Sequence, residues 1–483
     1  MSYQGKVPLS SCRLEFDIGK SKFIGKRRKY ISITSIQKLM CMPSGAARHL
    51  LFLVLLIFLW ISIFSACSLS SACNDAFKNM NNTEKGFAEV ELLFCKGQSI
   101  LPVLLTTGQI DGYIAWQPYL ALAENSGIGK VAILSRDFPP AGAWHNHPCC
   151  VLVASNDTLQ NCPDMVVAVS AILLSAGDYA TENREELPEI TADWLMGDRD
   201  YLLGSRIISP VDLFNQSLSS FSFSSRTDKE WNASAQILVD RMGDILNTID
   251  SSQHNGSGAT ISEFMDSEPY CKAAEWIALH DNSPNQGPSC PSLDLFSSHT
   301  DSIRCKIMMR NPLRIGYLMI DHQAPLFAAV KRWQYFQERN GIALKPAEDT
   351  KRPRYLELMI NGRKACDVEL VSAPTGQNLM TLMEQGNLDM AIVGITPAIG
   401  AISLGCDARI IQPVQNLGCG LVLSSKFEAE SWDDFAALAR ASSERGRPLR
   451  IGDPDLGTII DVIFQDALNA SGLLGVKASE TIR

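Results

Sequence analysis

The sequence predicts an α/β protein built on parallel sheets, and three observations carry that prediction. First, an internal repeat aligns residues 98–118 (QSILPVLLTTGQIDGYIAWQP) with 377–397 (QNLMTLMEQGNLDMAIVGITP). Both copies hold Gly-x-hydrophobic-Asp, at Gly108/Asp111 and Gly386/Asp389, then an apolar run ending in Pro118 or Pro397. Second, short apolar runs alternate with helix-like stretches, and each run hands over through Gly, Ser, Thr, Asn or Gln. A repeated helix–Gly–strand–helix–strand unit is what a parallel α/β sheet is made from. Third, 46% hydrophobic and 20% charged residues are a globular balance that excludes a mainly disordered chain.

The elements follow in chain order. Residues 1–49 carry ten Lys/Arg against Glu15 and Asp17, and 50–64 are a run of fifteen apolar or small residues. At 1.5 Å per residue the run spans ~22 Å, short of a ~30 Å hydrocarbon core. A basic region, an apolar core and the small residues Ser65-Ala66 before Cys67 describe an export signal, with Met40 and Met42 as alternative translation starts. Phe64-Ser65-Ala66-Cys67 resembles a lipobox, so Cys67 is the candidate lipidation site; a retained signal anchor is the alternative. Either places the rest of the chain outside the cytoplasm, tethered to the membrane through residues 67–85.

Strand candidates then fall at 90–94, in the apolar run that ends at Pro118, and at 130–134 and 149–154. Residues 156–250 read as helical with few strand signals, and the Ser/Gly/Pro/Asn-rich 251–311 as a linker carrying one helix over 262–280. Further strands are expected at 313–318, 367–371, 409–411, 420–424 and 447–452, with helices opening near Ala324, Gly376-Gln377-Asn378 and Gly457-Thr458.

A net charge of −9 excludes a coat for nucleic acid, which demands a basic face. A single run near membrane length excludes a multi-span transporter. The fourteen cysteines stand at irregular spacings without CxxC and read mostly as small buried hydrophobes. Cys149 and Cys150, adjacent on a strand, are expected to point to opposite faces.

These motifs resemble the periplasmic substrate-binding proteins of the nitrate/sulfonate/taurine/bicarbonate ABC importers, a family with a thiamine-pyrimidine branch. Residues 313–425 (RIGYL, DHQAPLF, QNLMTLMEQGNLDMAIVG) resemble its first lobe, and 86–195 (GQIDGYIAWQPY, HNHPCC, VLVAS) the later part of its second lobe. The resemblance implies a periplasmic-binding-protein-like fold, two doubly wound α/β lobes with a hinge, here with the chain order permuted or drawn from two partial copies. The resulting segments are leader 1–66, tether 67–85, second-lobe portion and return 86–250, linker 251–311, first lobe 312–425 and start of the second lobe 426–483. The halves are expected to dock as one protein, with residues 312–425 and 151–250 in one lobe, 426–483 and 86–150 in the other, and hinge crossings at 151–154 and 421–424.

In open α/β sheets ligands bind beyond the carboxyl ends of strands, where helix N-termini present backbone N–H groups. That rule selects His322, Gln323, Thr375, Gly376, Gln377, Gly394, Thr396, Gly457, Thr458, Gln98, Ser99, Trp116 and Gln117 as ligand-binding candidates. Capping and turn duties compete for each of them. His145 and His147, beside Cys149-Cys150, complete the candidate set; ligand contact, zinc ligation, a Cys–His hydrolase and plain packing all stay open for this cluster. Lys96 is the cation beside one of these loops.

The function so implied is the solute-binding component of an ABC importer, closing two lobes on a small oxyanion and presenting it to a membrane permease, without catalysis, metal or cofactor. Binding or synthesis of a thiamine-pyrimidine precursor, or a decayed fragment of a tandem binding protein, are the alternatives.

Overall fold

The computed structural model describes residues 87–197, 199–203, 206–249, 258–280 and 312–478. The leader, its apolar run, Cys67, the tether and much of the 251–311 segment lie outside them.

Four strands open the described chain: β1 (Ala88–Phe94), β2 (Gly112–Trp116), β3 (Gly129–Leu134) and β4 (Pro148–Ser155). β5 (Tyr201–Leu203) and β6 (Arg206–Ile208) form a hairpin, and β7 (Phe221–Ser222) follows. The later segment supplies β8 (Leu313–Leu318), β9 (Ile342–Pro346), β10 (Tyr355–Ile360), β11 (Arg363–Ala373), β12 (Met390–Gly394), β13 (Ala408–Leu417), β14 (Cys419–Ser424), β15 (Leu449–Asp453) and β16 (Leu473–Lys477). Two mixed sheets result, ordered β7-β13-β4-β12-β8-β11-β10-β9 and β16-β1-β15-β2-β14-β3. Each sheet therefore draws strands from both sides of the 251–311 segment.

The parallel expectation holds for β8 with β11 and β12, and for β15 with β1 and β2. β4 and β14 run the other way, antiparallel to β12 and β13, and to β2 and β3. These are the strands by which the chain enters a sheet from the opposite lobe. Arriving at the edge where the parallel strands end, they must run against them. The crossings themselves precede the predicted stretches: β13 passes to β14 through Gly418 alone, and β3 to β4 through residues 135–147. At the first, Leu417 and Gly418 have φ of 66° and 82°. A Cβ on Gly418 would lie 2.1 Å from Phe221 Cε1, so only glycine fits.

The repeat has a structural meaning. Asp389 accepts the backbone N–H of Arg314 at 2.7 Å, at the start of β8, and Asp111 accepts that of Arg450 at 3.1 Å, at the start of β15. In both lobes the motif's carboxylate thus pins the strand entering β12 or β2 to its parallel neighbour, and the two lobes are built alike.

Three corrections concern the elements. Residues 156–250 contain the short strands β5, β6 and β7 besides their helices. The edge pair β9–β10 and the strand β16 were not expected; β10 is antiparallel to both its neighbours. The 262–280 helix is two, Ile261–Phe264 and Glu268–His280. The helix Pro163–Glu182 is long and apolar enough to cross a membrane, but it is largely buried as the central core helix of the eight-stranded lobe. Cys162, which precedes it, and Cys271 are disulfide-bonded, so the reading of the cysteines as buried hydrophobes does not extend to these two.

Candidate functional site

Strand direction brings the carboxyl ends of both sheets to the crossings. The N-terminal end of β4 lies beside the C-terminal end of β12, Cys150 opposite Gly394. The N-terminal end of β14 lies beside the C-terminal end of β2, Cys419 opposite Trp116. The Cys149 thiol, in one sheet, meets that of Cys419, in the other. Segments 321–323 after β8, 394–396 after β12, 116–117 after β2 and 415–416 at the end of β13 gather around this junction.

Several of the predicted residues are occupied with holding the backbone. Thr375 caps the helix Gly376–Glu384 by accepting the N–H of Asn378 at 3.2 Å, and Thr458 donates to Asp455 O at 2.8 Å. The Gly457 N–H donates to Asp461 at 2.7 Å. A Cβ on Gly376 would press on Pro397 at 2.9 Å, so this glycine serves close packing. Gly394 is the N-cap of the helix Ile395–Ser403. Gln98 accepts the Trp116 backbone N–H at 3.3 Å. Gln117 bridges segments, donating to Ser220 Oγ at 3.1 Å and accepting the Ala121 N–H at 3.1 Å. Ser99, Gln377, Lys96 and His145 are exposed.

A different subset holds buried polar atoms left without a protein partner: Trp116 Nε1, His322 Nε2, Gln323 Oε1 and Thr396 Oγ1. The same holds for Asp321 Oδ1, in the strand-end loop the sequence points to, and for Gln415 Oε1 and Asn416 Oδ1, which the sequence reading did not single out. For Gln415 and Asn416 the signal was present in QPVQN, three polar residues within one strand. Leaving such atoms unpaired costs about 1–3 kcal/mol each, so a cluster at one strand-end junction marks a place for a polar solute.

Electrostatics constrain that solute. Among the described residues Arg450 is the buried basic side chain, and it lies at the start of β15, paired with Glu91 at 3.0 Å. At the strand ends the buried charges are carboxyls. Burial lifts Asp321 to about 7, offset in part by the Ser217 hydroxyl that donates to it. Burial also raises Asp453 and Asp461, and each carboxyl bears on the other.

His147 is wholly buried, and burial lowers it to about 4, so the ring is neutral. Its Nδ1 lies 3.1 Å from Pro148 O and its Nε2 2.7 Å from Ser135 Oγ. In the neutral ring Nδ1 donates and Nε2 accepts, which ties β4 to the segment leaving β3. The histidine that meets the cysteines is His322: its Nδ1 is 3.3 Å from Cys149 Sγ and 3.7 Å from Cys150 Sγ. Both thiols reach one imidazole, contrary to the opposite-face expectation, because the pairing of β4 with β13 is irregular at this point. Phe221 closes the other side of His322, its ring centroid 4.8 Å away.

A family model described as NMT1-like family matches residues 83–196 and 309–479, more than half of the chain. An uncharacterized protein of Methanocaldococcus jannaschii is 32% identical over 117 residues, covering 24% of this chain and 79% of that protein. No solved structure matches the chain.

Proposed function

The chain belongs to the NMT1-like family, and from that premise we propose that it is the extracytoplasmic solute-binding component of an ABC importer. The proposed cycle is capture of a small polar solute where the two sheets confront each other, lobe closure about Gly418 and residues 135–147, and presentation to a membrane permease. The buried, partnerless polar atoms contributed by both lobes carry this reading. The disulfide-bonded Cys162 and Cys271 agree with an oxidising compartment. The interleaving of strands in both sheets supports one two-lobed protein written in permuted order.

The partnerless atoms favour one solute class. Gln323 Oε1, Asp321 Oδ1, Gln415 Oε1 and Asn416 Oδ1 accept hydrogen bonds, and Trp116 Nε1 donates. That set calls for a solute rich in N–H and O–H donors with a flat ring for Trp116, which an aminopyrimidine of the thiamine-precursor class supplies. A small oxyanion is the second reading, favoured by the helix N-termini at Gly376 and Ile395. Thermal-shift and calorimetric titration with hydroxymethyl-aminopyrimidine, nitrate, bicarbonate, taurine and an alkylsulfonate test both. At 100 times its Kd the true solute stabilises the fold by about 2.7 kcal/mol. Thr396→Val and Trp116→Phe should each weaken binding about fivefold to tenfold, the worth of about one hydrogen bond. A shift with the oxyanions alone removes the pyrimidine reading; turnover of any solute removes the non-catalytic one.

A further inference from the structure

Two thiols and an imidazole converge at the foot of this junction. Cys149 Sγ, Cys150 Sγ and His322 Nδ1 all lie within 4.8 Å of one another, and the three side chains are 3%, 2% and 1% exposed. Donor atoms bound at ~2.0–2.3 Å to one tetrahedral ion sit about 3.3–3.8 Å apart. The two sulfur–nitrogen separations, 3.3 and 3.7 Å, are edges of that size. His322 has its other nitrogen free of protein partners, and Gln323, the next residue, directs its amide N–H at Cys150 Sγ at 3.8 Å. Nothing about solute transport requires such a trio: none of its donor atoms belongs to the partnerless set that faces the proposed solute.

We infer that Cys149, Cys150 and His322 form a binding site for a thiophilic d10 cation, zinc(II) rather than copper(I). Sulfur and imidazole donors without a carboxylate oxygen select soft and borderline ions over magnesium or calcium. Charge balance selects between the soft ones. Zinc(II) entering the site displaces one proton from each thiol, and two thiolates with a neutral imidazole then make an uncharged complex. Copper(I) with the same donors leaves a net negative charge in a fully buried place, which is costly. Bound there, the ion fastens the incoming end of β4 to the loop after β8. The site is independent of which solute the cleft takes, so zinc binding stands or falls apart from the pyrimidine reading.

The test uses the full chain, purified metal-free with the Cys149 and Cys150 thiols reduced and the disulfide-bonded Cys162 and Cys271 kept oxidised. Zinc(II) is titrated against a chromophoric chelator, and cobalt(II) is read by absorption. Expected are saturation with one ion per chain, a thiolate-to-cobalt charge-transfer band and a higher melting temperature with zinc. Cys149→Ser/Cys150→Ser should abolish the band, and His322→Gln should weaken zinc binding at least the ~10–100-fold that changes around metal ligands cost. Cys406→Ser, at a buried thiol elsewhere, should change neither. Unaltered affinity in the double variant, or copper(I) binding without zinc or cobalt, overturns the assignment. If the double variant does not fold, absence of the cobalt band in the wild-type chain does so alone.

Discussion

Asp321 is wholly buried at the end of β8, and burial moves its carboxyl up to about 7 from an ordinary 3.8. Between those two values the folded chain holds a proton that the unfolded chain has released, so this residue's contribution to stability is lost as pH rises from about 4 to about 7. His147 works in the opposite sense. Its folded value of about 4 lies below the ordinary 6.5, so its contribution is full above about 6.5 and is lost as pH falls towards 4. Asp321→Asn is therefore expected to melt higher than the wild type at pH 8, with the difference closing near pH 4 in a series of thermal melts. His147→Ala should cost about 1–3 kcal/mol at pH 7.5 in urea unfolding, since it strands the Ser135 hydroxyl. At this scale the sequence was partly readable. Trp116, His322, Gln323 and Thr396, whose buried polar atoms have no protein partner, stand at strand ends that the apolar runs made legible. The thiol–imidazole trio was not, since His322 lies 173 positions from Cys149 and the alternation rule placed the two thiols on opposite faces.

Among the elements, the β13–β14 passage and the helix Lys229–Ile249 decide how the lobes are held. Gly418→Ala would meet Phe221 and force a left-handed alanine, costing at least the ~1–2 kcal/mol of that backbone state; chemical unfolding measures it. The helix carries Arg241, paired with Asp466 of the other lobe at 2.5 Å, and Met242, whose Cε lies 3.3 and 3.9 Å from where Cβ atoms on Gly400 and Gly457 would stand. Arg241→Ala leaves the buried Asp466 without this partner. It should favour the open form, seen as a larger radius of gyration in solution scattering without solute. Runs such as β2 and β12 were legible because they are wholly apolar and punctuated by Gly and Asp. The β9–β10 pair was not, because as an edge it mixes Lys345 and Glu357, which pair at 3.3 Å, into its apolar pattern. The direction of β4 and β14 left no trace in hydrophobicity, which is blind to strand polarity.

For the whole molecule the interleaved sheets make the two chain segments mutually dependent. Fragments 87–280 and 312–478, expressed as separate polypeptides in one cell, should copurify, since each sheet is incomplete without the other fragment. Recovery of either as a folded monomer would contradict the shared sheets. The fold class was predictable from the repeat; the pairing partners were not, because the order of segments along the chain differs from the order of strands in space. That difference has a consequence for biogenesis. Strand β1 is sandwiched between β15 and β16, so, emerging before the other described strands, it stays unpaired while the 355 positions from Phe94 to Leu449 are delivered. Such distant pairing makes nucleation slow and leaves apolar edges bare during delivery. Maturation of this protein should accordingly depend on a holdase chaperone that keeps the nascent thread from sticking to its neighbours.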